Sequence, residues 1–75
     1  MGRLRPFSYR EVRRNLLAAG FAEVGQKGSH VKFAKISAAG VRTAIVPHHT
    51  SDIPVGTLRS ILSQAGLTPD AFEAL

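Results

Sequence analysis

The sequence predicts a small α+β domain of the order α, β, β, β, α with a short extra C-terminal helix. Apolar residues at helical spacing open and close the chain, a period-two run rich in β-branched residues fills its middle, and the turns between the middle segments are short. Strands joined by short turns pair antiparallel. The expectation is therefore a three-stranded antiparallel sheet with helices on one face and the other face left to water.

The first helix starts at Ser8. Its hydroxyl can cap the Glu11 amide while the Glu11 carboxylate reaches back, and Phe7 and Val12 occupy the two positions of a hydrophobic staple. Val12, Leu16 and Ala19 recur at helical spacing, Leu17 widens the stripe, and Gly20 stands where a left-handed residue stops the helix. Residues 21–24 read as a short strand running into a turn at 25–28, with Phe21 able to fold back onto the helical stripe. In the second strand, residues 29–36, Val31 and Phe33 point one way while His30, Lys32 and Ala34 point the other. A turn at 37–40 leads into the third strand, residues 41–46, which Pro47 ends by withholding a ladder donor.

Residues 48–52 form a polar connection, after which Ser51 or Asp52 can cap a second helix that carries Pro54 in its first turn. Leu58, Ile61, Leu62 and Ala65 make the buried face of that helix, and Gly66 ends it. Thr68-Pro69-Asp70 starts the short third helix, anchored by Phe72 and Leu75. Residues 1–6 are expected to form a frayed N-terminus.

At 75 residues the chain is a single domain, and its 44% apolar content supports one thin core rather than a deep buried pocket. Without cysteine there is no disulfide framework, zinc knuckle or thiol nucleophile, which fits a reducing compartment and sets the cytoplasm as the expected location. No apolar run approaches the ~20 residues of a membrane span, and the N-terminus lacks the apolar stretch of a signal peptide. The mature protein is accordingly expected to be the whole chain. Ten Lys and Arg against five Asp and Glu leave a net charge of +5, which points to an anionic partner: nucleic acid, an acidic protein or a membrane surface.

His30 is the residue best placed for chemistry. Gly28 and Ser29 precede it and Lys27 and Lys32 flank it, so a glycine turn that admits an anion, two cations for phosphate oxygens and a proton-transferring imidazole meet at one place. Read from the residues alone, a solvated strand histidine without a task is the favoured reading. His30, His48 and His49 do not make a metal site on this reading, because adjacent residues of an extended segment diverge and no zinc spacing is present. His48 remains a secondary candidate. Arg10, Arg13 and Arg14 lie three and four residues apart and form either a basic ridge or a solvated helix face. Lys35, Arg42 and Arg59 spread positive charge elsewhere, Arg59 with its stem able to cover apolar surface.

No two carboxylates form an acid and base pair: Glu11 belongs to the capping box, and Asp52, Asp70 and Glu73 have capping or helix-start roles. That excludes a glycosidase. The segment 25–30 also lacks the spacing and following helix of a nucleotide-binding phosphate loop.

Four stretches together resemble the HicA (YcfA-like) toxins: Gly20-Phe21, Gln26-Lys27-Gly28-Ser29-His30-Val31-Lys32-Phe33, Val46-Pro47-His48-His49, and the segment from Ile53 to Leu67 containing Gly56-Thr57-Leu58-Arg59-Ser60-Ile61-Leu62. The resemblance runs from the first helix to the last. It implies a fold like the double-stranded RNA-binding domain and a translation-independent mRNA endoribonuclease, the toxin of a type II toxin–antitoxin system. Carried over by position, the family's catalytic histidine falls on His30. The implied partners are mRNA and a HicB-type antitoxin that shields the histidine, with no membrane, metal ion or small-molecule cofactor. Lys27, Gly28, Ser29 and Lys32 would hold RNA, while the proton donor to the leaving oxygen is open among His48, Ser29 and water. Gly25 and the Ala34 to Arg42 hairpin depart from the family pattern, which often has a cation at the first and a polar His-Pro-Asp-Gly type of turn in the second. A non-catalytic double-stranded-RNA-binding module is the alternative, and a protein-binding domain for an acidic partner a third reading.

Overall fold

The computed structural model describes residues 4–75. Its elements are α1 (Tyr9–Ala18), β1 (Ala22–Lys27), β2 (His30–Ser37), β3 (Gly40–Pro47), α2 (Val55–Ala65) and α3 (Pro69–Glu73). The strands form one antiparallel sheet in the order β1-β2-β3. The predicted fold class, including the third helix, is the observed one.

The helix layer covers one face. Val31 and Phe33 of β2 and Ala44 and Val46 of β3 are buried in one cluster with Val12 and Leu16 of α1, Leu58, Ile61 and Leu62 of α2, and Phe72 of α3. Both anticipated devices at the start of α1 are present: Ser8 Oγ accepts from the Glu11 amide at 3.1 Å, the Ser8 amide donates to Glu11 Oε1 at 3.0 Å, and Phe7 and Val12 are buried. Asn15 falls on the same buried stripe. It donates from Nδ2 to the Phe72 carbonyl at 3.2 Å, which satisfies the buried amide and ties α3 to α1. No helix among the described residues is long and apolar enough to cross a membrane.

Several boundaries differ from the sequence reading, each for a tertiary reason. β1 continues through Gly25 to Lys27, because the register shifts between Glu23 and Gly25 and so accommodates an extra residue without ending the pairing. The turn shrinks to Gly28 and Ser29. Pro47 is the last paired residue of β3, opposite His30, rather than a stop before it. α2 takes Pro54 as its N-cap residue with no side-chain cap, not Ser51 or Asp52. Ile53 exchanges backbone hydrogen bonds with Phe7 at 2.7 and 3.4 Å and is buried, so the chain is still extended there and cannot turn helical earlier.

Leu17 and Leu75 stand outside the core at 38% and 42% exposure, since a three-stranded sheet covers only a narrow helical stripe. Of the N-terminus expected to fray, residues 1–3 lie outside the described residues. Residues 4–6 are held: Leu4 packs against the core, and the Arg5 guanidinium lies 4.0 Å from the Phe7 ring centroid and 3.2 Å from Glu11 Oε2.

Candidate active site

Period-two alternation sets the site. Val31 and Phe33 face the helices, so His30 and Lys32 stand exposed on the open face of β2. Opposite His30 are Lys27 on β1 and Pro47 on β3, and opposite Lys32 are Gly25 and Ile45. Lys27 lies directly opposite His30, about 4.5–5.5 Å apart at Cβ, and diagonal to Lys32, about 7–8 Å away, distances that long lysine stems span to reach one anion beside the imidazole. Gly25 leaves the β1 side of the second row without a side chain. The result is a shallow concavity of about 760 Å³ lined by Gly25, Lys27, Gly28, His30, Lys32 and Ile45, with Gln26 at its rim.

The turn before His30 is braced on both sides. Gln26 Nε2 donates to the Gly28 carbonyl at 3.0 Å, and the His48 amide donates to the Ser29 carbonyl at 2.6 Å. Gly28 has φ +58°, a left-handed value that matches a two-residue hairpin loop with glycine first. The Gly28 and Ser29 amides have no protein acceptor among the described residues. Two turn amides, two lysines and an imidazole thus lie at one end of the sheet, a set of groups that can hold a phosphodiester and move a proton beside it.

The other sequence candidates lie on the helix layer. His48, one residue beyond Pro47, points to the opposite side from His30 and stacks on Tyr9 of α1, with centroids 3.8 Å apart. Arg10, Arg13 and Arg14 are exposed on α1, where Arg13 Nε pairs with Glu23 Oε1 at 3.4 Å and Arg14 Nε reaches Asn15 Oδ1 at 3.5 Å. His49 is exposed in the connection after β3. Lys35 and Arg42, paired across β2 and β3, sit against the ends of helices: Lys35 approaches Gly20 and the Phe21 ring, and Arg42 lies under Gly66. There they meet the partial negative charge of helix C-termini. No group of three or more His, Cys, Asp or Glu side chains among the described residues could hold a metal ion.

Burial raises the Tyr9 phenol above its ordinary value of 10.0; Glu23 adds to the rise and Arg13 opposes it. Glu11 is lowered, first by the Ser8 backbone amide and next by the Arg5 side chain. Charge and motif spacing in the sequence do not point to the brace from Gln26 or to the flanking Ile45. Ile45 was available from alternation against Val46, whereas the Gln26 contact depends on the turn length that the bulge sets.

No curated protein sequence matches the chain. The family model described as HicA toxin of bacterial toxin-antitoxin matches residues 9–67, which spans α1, the whole sheet, α2 and its C-cap. With most of its length matched, the chain belongs to the HicA toxin family of bacterial toxin–antitoxin systems.

Proposed function

We propose that this toxin is an mRNA endoribonuclease that acts independently of translation and arrests growth, with His30 as its general base. His30 takes the proton of a ribose 2′-hydroxyl, the 2′-oxygen attacks the adjacent phosphorus, and the bond to the 5′-oxygen breaks as that oxygen receives a proton from Ser29 or water. The products are a 2′,3′-cyclic phosphate and a 5′-hydroxyl. Lys27, Lys32 and the open turn amides neutralise charge that grows on the phosphate oxygens, a contribution that is largest when the donors are fixed beforehand. Such a transfer needs no metal ion. The reading rests on one observation above all: an exposed imidazole between two lysines, beside a turn held by hydrogen bonds on both sides.

A toxin of this family has a cognate antitoxin. In this proposal it is a HicB-type protein whose acidic surface covers the His30 face and excludes RNA, in the cytoplasm where mRNA is found. The deciding experiment is induced expression of the wild type and of His30→Ala without the antitoxin, followed by growth and transcript integrity. Arrest with transcript loss in the wild type alone supports the assignment. Arrest by both variants removes His30 from the chemistry, and arrest by neither favours a non-catalytic RNA-binding module. Fragments ending in 5′-phosphate would exclude attack by the 2′-oxygen.

A further inference from the structure

Tyr9 and His48 stack nearly parallel, with ring planes 14° apart and centroids separated by 3.8 Å. Tyr9 is 9% exposed, so its ring is fixed by the core, whereas His48 is exposed. Among the described residues His48 makes no second ring contact and no ion pair. One aromatic plane is therefore held from beneath on a residue that is itself exposed. Its position follows from the backbone: the His48 amide bonds the Ser29 carbonyl at 2.6 Å, and Ser29 is one residue, about 3.8 Å of chain, from His30. The plane and the phosphate-facing turn share one end of the sheet, on opposite faces.

Aromatic rings hold unpaired nucleobases by stacking, with little regard to sequence, because every base has a π face. A base inside a duplex is already stacked on its neighbours and cannot use such a plane. Exposed Arg10 on the first turn of α1 and the net charge of +5 supply attraction for the strand that carries the base.

Resting on the endoribonuclease reading, the geometry points to the Tyr9–His48 pair as a stacking platform for an unpaired nucleobase next to the scissile phosphate. The substrate is then single-stranded RNA that wraps the turn between β1 and β2, with a phosphate on the His30 face and a neighbouring base on His48. This gives the fold a preference for unpaired RNA, and it gives His48 a binding role in place of proton transfer.

The test uses the His30→Ala protein and a single-stranded RNA of about eight nucleotides, a length within the range that small single-strand-binding folds cover. At saturation the carbon-bound imidazole protons of His48 should shift upfield in NMR spectra from the ring current of the stacked base. Adding His48→Ala should weaken binding about tenfold, and His48→Phe in its place should restore it. The same RNA annealed into a perfect duplex should bind more weakly than the single strand. Unmoved His48 resonances, an unchanged affinity in the alanine variant, or a phenylalanine variant as weak as the alanine one would each overturn the platform. If wild-type protein fails to cleave RNA while the His48 shifts appear, the nuclease reading falls and the platform survives; cleavage without those shifts gives the reverse.

Discussion

On β2, Val31 and Phe33 are buried to within 1% of complete, while His30 and Lys32 beside them in sequence stand in water. The inner row meets α1, α2 and α3, and the outer row faces cross-strand neighbours on β1 and β3. One strand thus supplies the core and the candidate chemistry in alternate residues. Because the two rows project from opposite faces of the sheet, a substitution in one should leave the property of the other nearly intact.

The largest effect is expected inside. Phe33→Ala removes a fully buried ring from a chain whose total stability, by its length, is about 4–11 kcal/mol. A loss of about 4 kcal/mol is typical for such a truncation, so urea unfolding followed by circular dichroism should show a midpoint lowered by a third or more, and at the low end of that range a protein partly unfolded without denaturant. A fully folded but inactive Phe33→Ala would break the comparison, since it would couple the core directly to the site.

His30→Ala should do the opposite. Removal of a positioned general base costs about 10²–10⁴ in rate, whereas loss of an exposed side chain shifts stability by about 0.5 kcal/mol or less. RNA cleavage should fall about a thousandfold with the urea midpoint unchanged. Lys32→Ala, also on the outer row, should act on binding. A single-stranded RNA contact contributes about 0.7 to the slope of log affinity against log salt, so the variant should bind more weakly and with a slope smaller by about that amount. Arg13→Ala on the helix layer provides the contrast: its cation is already paired with Glu23, and the slope should move less.

The same division explains what the sequence revealed and what it withheld. The capping box of Ser8 and Glu11 and the alternation of Val31 and Phe33 are local patterns, and both appear as read. His30 and Lys32 could be placed on the open face by the same alternation. The length of β1 could not, because a bulge is a property of two paired strands and Gly25 alone reads as a turn residue. Nor could the late start of α2, which follows from the bridge between Ile53 and Phe7, or the stack of His48 on Tyr9. Each unites segments far apart in the chain. Within the site, the charged residues were legible and the hydrogen bonds that hold their turn were not.

The smallest effect lies away from both rows, at the start of α1, and it separates pH dependence of the fold from that of the site. The Glu11 carboxylate is held below its ordinary value of 4.5 by the Ser8 amide and then by Arg5. Its ionised form is thereby favoured in the folded state, so its stabilisation is complete above the unfolded value and is lost as pH falls through the folded one. Glu11 is partly exposed and solvent screens the pair, which limits the contribution to a few tenths of a kcal/mol. Glu11→Gln should therefore unfold at slightly lower urea than the wild type near pH 7. The gap should narrow as pH falls below the ordinary value of 4.5 and close once the folded-state carboxyl, held lower than that, is itself protonated. A gap that persists undiminished into acid would assign the stabilisation to side-chain packing rather than to charge. If the pH profile of RNA cleavage were altered by Glu11→Gln while the protein stays folded, the helix layer would be coupled to the open face, and the independence argued for β2 would fail at the level of electrostatics.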